Sequence, residues 1–179
     1  MTKATPLPRT QPSAYIYFRT RSTVIELHFT FHTDQRKRFQ HGDLITEWSK
    51  RYANLFDEQD IALARNQPNY HFFEWLSAVL LYESTGYLSL LENYSAKRHG
   101  SKLEKFVELA PREVSQSIIA DPSGIPDLFC YREVERDWMF FEVKGGKDRI
   151  RANQEKRIRD LEQLCRKPVG LINLKELSG

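Results

Sequence analysis

Asp127 closes the run Gly124-Ile125-Pro126-Asp127, and fifteen residues later Glu142 and Lys144 flank Val143 in Phe141-Glu142-Val143-Lys144-Gly145. Two carboxylates and one ammonium make up the minimal equipment for metal-assisted hydrolysis of a phosphodiester. The carboxylates hold a hard divalent cation, which prefers oxygen ligands. The ammonium favours a hydroxide or the charge developing on phosphorus. This is the only Glu-x-Lys in the chain. The plainer alternative is a surface ion pair involving Lys144, with Pro126-Asp127 as a simple turn.

Strand parity decides whether these groups can meet. In an extended segment Phe140, Glu142 and Lys144 share one face, and Phe141 and Val143 the other. The charged run from Arg132 to Asp137 is a turn between two apolar stretches, Leu128 to Tyr131 and Trp138 to Val143. A hairpin centred between Val134 and Glu135 sets position 127 opposite position 142. Directly opposed residues have Cβ atoms about 5 Å apart. Two carboxylates that close repel unless a cation lies between them.

Two further residues belong to this argument. Nine of the 12 residues from His71 to Tyr82 are apolar, so a helix there is buried all round, and Glu74 is its one carboxylate. A buried carboxylate must be neutralised, paired or protonated; a metal, a lysine or a raised pKa would each suffice. Ile150, Gln154, Ile158, Leu161 and Cys165 recur at spacings of 4, 4, 3 and 4, one stripe of an amphipathic helix. Gln154 on that stripe needs a partner. It could hold an attacking water, orient Lys144 or make a structural hydrogen bond.

Basic residues surround these motifs. From Lys144 to Lys167 there are nine Lys or Arg against four Asp or Glu, although the net charge of the whole chain is only +3. Such an excess suits a polyanionic partner, and it also suits a solvated helix face. Lys147, Arg149, Arg151, Lys156 and Arg157, with Lys97, Arg98 and Lys102, are the candidates for phosphate contacts.

The remaining elements are coarser. Residues 1–13 hold three prolines and read as a mobile tail. Leu27, Phe29 and Phe31 alternate with polar neighbours as in a strand, which puts His28 and His32 on one face; as a metal pair they lack a third ligand. Asp34 to Arg38 reads as a turn. Helices are expected over Gly42 to Phe56 and Glu58 to Arg65, and from Phe72 to Gly86. Tyr87 to Tyr94 reads as a further helical turn or two. Lys97 to Lys105 is a basic loop region, Phe106 to Leu109 and Val114 to Ile119 fit either strand or helix, and Val169 to Leu174 is a final strand. The order of elements indicates an α/β layered domain. A chain of 179 residues can bury roughly 70% of its unfolded surface, enough for one core. Cys130 and Cys165 have no paired spacing and read as reduced thiols of an intracellular protein, not a zinc or disulfide framework. The first residues lack the apolar core of a secretory signal, and no apolar run is long enough to span a bilayer. The expected location is the cytoplasm, at the nucleoid.

Gly-x-Pro-Asp-Leu-Phe, Phe-Phe-Glu-Val-Lys-Gly, Asp148-Arg149-Ile150 and Asn153-Gln154 resemble the VRR-NUC (virus-type replication-repair nuclease) domain, a branch of the PD-(D/E)XK superfamily. The likeness is strong over residues 124–174 and extends back to Glu74 and Gly86-Tyr87. Residues 1–70 lie outside it, so 14–70 reads as an N-terminal extension and 71–179 as the nuclease domain. The resemblance implies a restriction-endonuclease-like α/β fold, a mixed central sheet flanked by helices. It implies DNA cleavage dependent on Mg2+ or Mn2+. Asp127, Glu142, Val143 and Glu74 would serve at the metal, Lys144 would be the catalytic lysine and Gln154 the motif glutamine. Gly146-Lys147 departs from the proline or small residue common before Asp-Arg in the family. A substrate among branched, flap or junction DNA and a homodimer both fit the family. Two rivals are a DNA-binding or assembly subunit of a mobile-element or defence complex, docking a protein partner through residues 14–70, and a site-specific restriction endonuclease.

Overall fold

A computed structural model describes residues 25–91 and 93–177. The expected tail at residues 1–13 lies outside the described residues. Five strands and seven helices follow in the order β1 (Glu26–His32), α1 (Thr33–Gln40), α2 (Asp43–Arg51), α3 (Glu58–Asn66), α4 (Phe72–Thr85), β2 (Leu88–Leu91), α5 (Gly100–Leu109), α6 (Arg112–Ala120), β3 (Leu128–Arg132), β4 (Asp137–Gly145), α7 (Ala152–Cys165) and β5 (Gly170–Leu177).

The strands form one mixed sheet in the order β1-β5-β4-β3-β2. The β1/β5 and β5/β4 pairs are parallel, and β4/β3 and β3/β2 are antiparallel. Alternation along each strand divides the side chains between two cores. Leu27, Phe29, Phe31, Leu128, Cys130, Phe141, Val143, Ile172 and Leu174 point to the side covered by α1 to α4. Phe129, Tyr131, Trp138 and Phe140 point to the other, where Phe106 of α5, Val114 and Ile118 of α6 and Leu161 of α7 cover them. The result is a helix-sheet-helix sandwich.

The hairpin register agrees with the expectation from the turn. Leu128 pairs with Phe141 and Arg132 with Asp137, which continues to position 127 beside 142. Several expectations from periodicity are corrected. Thr33–Gln40 is a helix, not a turn at 34–38. Its start is fixed by the Gln35 side chain, which accepts from the His32 amide at 2.9 Å, and Phe39 anchors it in the core. Leu88–Leu91 is a strand, not a helical turn, because its backbone pairs with β3. The basic region through Lys105 is largely α5, and the segments at 106–109 and 114–119 are both helical. Ile150 lies before α7 and is exposed, so the apolar stripe of that helix begins later than its spacing suggests.

α4 ends where Gly86 takes a left-handed φ of 77°, a conformation that costs glycine nothing. Strand β1, within the segment read as an extension, belongs to the same sheet and the same core as α4.

Candidate active site

The two central antiparallel strands and the first turn of α7 bring four side chains together. Asp127 sits one residue before β3, and its Oδ2 accepts a hydrogen bond of 2.7 Å from the Val143 amide on β4. Glu142 points to the opposite face from Val143 and is only 1% exposed. Its Oε1 accepts from Lys144 Nζ at 2.6 Å and from Gln154 Nε2 at 2.7 Å. Gln154 also caps the start of α7: its Oε1 accepts from the Arg151 amide at 3.2 Å and lies 3.4 Å from Lys144 Nζ.

Glu74 lies in the first turn of α4, on the other layer. Its charge acts on Asp127. What seats that end of the helix is Phe73. A Cβ on Gly145 would come within 2.5 Å of the Phe73 ring, so only glycine lets α4 approach the end of β4 this closely.

The carboxylates are held in a strained electrostatic state. Burial, then the charge of Glu142, pushes the Asp127 carboxyl up to about 8, against the opposing Val143 hydrogen bond. Burial raises Glu142 as well, although Lys144 and Gln154 oppose the rise. Two buried carboxylates that disfavour each other's ionisation make a hard oxygen donor set, and a divalent cation relieves that repulsion. Each commits one oxygen to the hydrogen bonds above, which leaves the second oxygen of each as a donor. Val143 can add only its main-chain carbonyl. Among the described residues no three His, Cys, Asp or Glu side chains form a ready-made metal cage. The donor set is one of hard oxygens, the kind that suits a hard divalent cation.

Sequence reasoning missed a support. Tyr94 is fully buried, and its hydroxyl donates to the Pro126 carbonyl at 3.1 Å, fixing the peptide that carries Asp127. Its signal was slight: a tyrosine in a polar stretch, with a partner thirty-two residues away.

The candidates for phosphate contacts divide. Lys97, Arg98, Lys147, Arg149 and Arg151 are exposed. Lys156 is exposed and pairs with Asp160 at 2.6 Å on its own helix. Arg157 is half-buried and donates to the Asp121 carbonyl at 2.7 Å. Lys102 is corrected: it is 5% exposed, ion-paired with Asp60 and bonded to the Leu91 carbonyl, and it cannot meet a phosphate. His28 pairs with Glu26 at 3.4 Å on the far edge strand. Burial pushes the Cys130 thiol up to about 12 and Cys165 to about 11, so neither is poised as a thiolate. No helix among the described residues is long and apolar enough to cross a membrane.

The fold is an α/β sandwich that sets two carboxylates and a lysine at the end of its central hairpin. The model of the VRR-NUC domain matches residues 58–170, well over half of the chain, and the chain belongs to this family of nuclease domains. The match begins inside the segment read as an extension. A solved structure described as the crystal structure of paFAN1 bound to 2nt 5'flap DNA with gap is similar at 13% identity and a TM-score of 0.36, covering 100% of this chain and 40% of that one. This chain thus spans less than half the length of that protein. No curated protein matches.

Proposed function

We propose that this protein is a metal-dependent deoxyribonuclease that hydrolyses phosphodiester bonds in branched, flap or junction DNA. The observation that carries the reading is the single hydrogen-bonded cluster in which Glu142 Oε1 receives both Lys144 and Gln154 while Asp127 is clamped to the adjoining Val143 amide. Asp127, Glu142 and the Val143 carbonyl, with Glu74 nearby, are the groups that would hold Mg2+ or Mn2+. Such an ion, when bound, supplies Lewis acidity and a water of lowered pKa.

The chain's own groups do the rest. The Val143 amide fixes the Asp127 carboxylate, so no reorganisation is needed when charge develops. Lys144, half-buried beside Glu142, brings a positive charge to the face where the phosphate must lie. Gln154 holds Glu142 in one rotamer and links the first turn of α7 to the site, so α7 and its basic N-terminal approach (Lys147, Arg149, Arg151) are positioned together with the catalytic groups. Those exposed cations contact phosphates and set the position of the DNA without reading its sequence.

Supercoiled plasmid incubated with the purified chain tests this reading. Nicking is expected with Mg2+ or Mn2+ and not with EDTA, and Glu142→Ala and Lys144→Ala are expected to abolish it while the variants stay folded. Cleavage retained by either variant rejects the assigned chemistry. Metal-dependent DNA binding without nicking favours an assembly subunit, and defined fragments favour a site-specific restriction enzyme.

A further inference from the structure

The sheet face that carries Glu142 and Lys144 continues beyond the helices that cover it. The core under α5, α6 and α7 contains side chains of β2, β3 and β4, and none of β1 or of strand β5. Register places Lys144 beside Asn173, and Asn173 beside His28. One pleat further, Thr30 lies beside Lys175. These residues share the face of Lys144, since their neighbours Phe29, Ile172 and Leu174 are buried in the opposite core.

The same residues line a cavity of ≈ 540 Å³ with Lys144, Gly146 and Asp148. Its cations are Lys144 and Lys175. Asp148 is the one carboxylate in its lining, and His28 is held by Glu26 outside it. Asp127 borders a separate cavity of ≈ 400 Å³, whose lining includes Asn93, Ser95 and Lys97. A strand that passes through a cleavage site needs room on both sides of the reacting phosphate, and the catalytic residues border two such spaces.

We propose that the face of β5 and β1, which no helix among the described residues covers, is a binding track for the DNA strand that continues past Lys144, with Lys175 meeting a phosphate and Asn173 and Thr30 bonding the sugar-phosphate backbone. The proposal rests on the nuclease reading and adds the path of the substrate. Lys175, Asn173, Thr30 and His28 all lie outside residues 58–170, so the track is built from parts of this chain that the family match does not reach.

The test is binding of a short fluorescein-labelled single strand to the full chain in EDTA, followed by anisotropy. Lys175→Glu and Thr30→Glu are each expected to raise Kd about tenfold, and Lys175→Ala to lower the salt slope by about one. Lys50→Glu on α2, in the opposite layer, makes the same charge change and is expected to move Kd by less than about twofold, because salt screens distant charges. Lys175→Ala, a truncation of an exposed side chain, keeps the test decisive if Thr30→Glu disturbs the sheet. Variants at 175 that bind as tightly as Lys50→Glu, in a protein that nicks plasmid, overturn the track and leave the nuclease reading standing. A chain that neither nicks nor binds overturns both.

Discussion

The amide of Val143 donates to Asp127 Oδ2 across 2.7 Å, so the residue between the Glu and Lys of the motif clamps the other carboxylate. Parity gives β4 two tasks at once: Glu142 and Lys144 face the site, and Val143 turns its side chain into the opposite core while its amide holds Asp127. The clamp does not relieve the repulsion between carboxylates. Burial, then the charge of Glu142, pushes the Asp127 carboxyl up to about 8, against 3.8 for a free side chain. Between those values the folded state binds more protons than the unfolded one, so without metal stability falls as pH rises. Thermal unfolding in EDTA should show this decline from pH 4 to pH 8, and Asp127→Asn should flatten it. Added Mg2+ should raise the melting temperature most at the alkaline end, where both carboxylates are charged. A wild-type profile with the same slope as Asp127→Asn would contradict the assignment.

Gln154 acts through Glu142 and through the first turn of α7. Gln154→Leu keeps much of the side-chain volume and removes both bonds. If Glu142 is the metal ligand proposed above, activity should fall about 10- to 100-fold, the usual cost of losing a group that orients such a ligand. The apparent affinity for Mg2+ should weaken with it, a change that simple loss of helix capping would not produce. Plasmid-nicking rates over a Mg2+ titration measure both.

Gly145 and Phe73 offer a different probe. A methyl group at 145 collides with the Phe73 ring at 2.5 Å. Gly145→Ala should cost about 1–3 kcal/mol of stability through overpacking, and it should lower activity because the ring belongs to the residue beside Glu74. Phe73→Leu should restore part of both in the double variant. Denaturant unfolding and nicking assays on the two single variants and the double one decide it. Additive losses would mean that the two positions do not press on each other.

The central hairpin was legible because local rules fix it: a charged turn sets the register, and period-two alternation sets the faces. The buried helix from Phe72 was legible from its apolar excess and its terminal glycine. Elements settled by distant partners were not. Leu88–Leu91 has only four residues and becomes a strand through pairing with Tyr131 to Leu128. The polar sequence of Thr33–Gln40 gives no stripe, and its helix depends on one buried phenylalanine and a glutamine at its start. Asn173 and Lys175 carried no signal, because only the parallel register with β4 and β1 puts Asn173 beside Lys144 and Lys175 one pleat further along the same face.

Lys102 shows the same limit and allows a direct check. In the sequence it is one of several cations between Lys97 and Lys105. In the fold it pairs with Asp60, forty-two residues earlier, and both are buried. Burial raises the Asp60 carboxyl to about 6 even though Lys102 opposes the shift, so the pair holds its charges at a cost. Lys102→Ala leaves that carboxylate buried without its cation and should destabilise the protein by about 3–5 kcal/mol. The double variant Asp60→Leu, Lys102→Met removes both charges and should recover most of the loss, because apolar replacement of a buried pair is often neutral or better. DNA affinity of the double variant should match wild type, measured by anisotropy at a temperature where both are folded. Arg98→Ala, exposed in the same region, should weaken binding without changing the unfolding midpoint. A double variant that folds normally but binds DNA severalfold more weakly would return Lys102 to the DNA-contact set and reject its role as a structural cation.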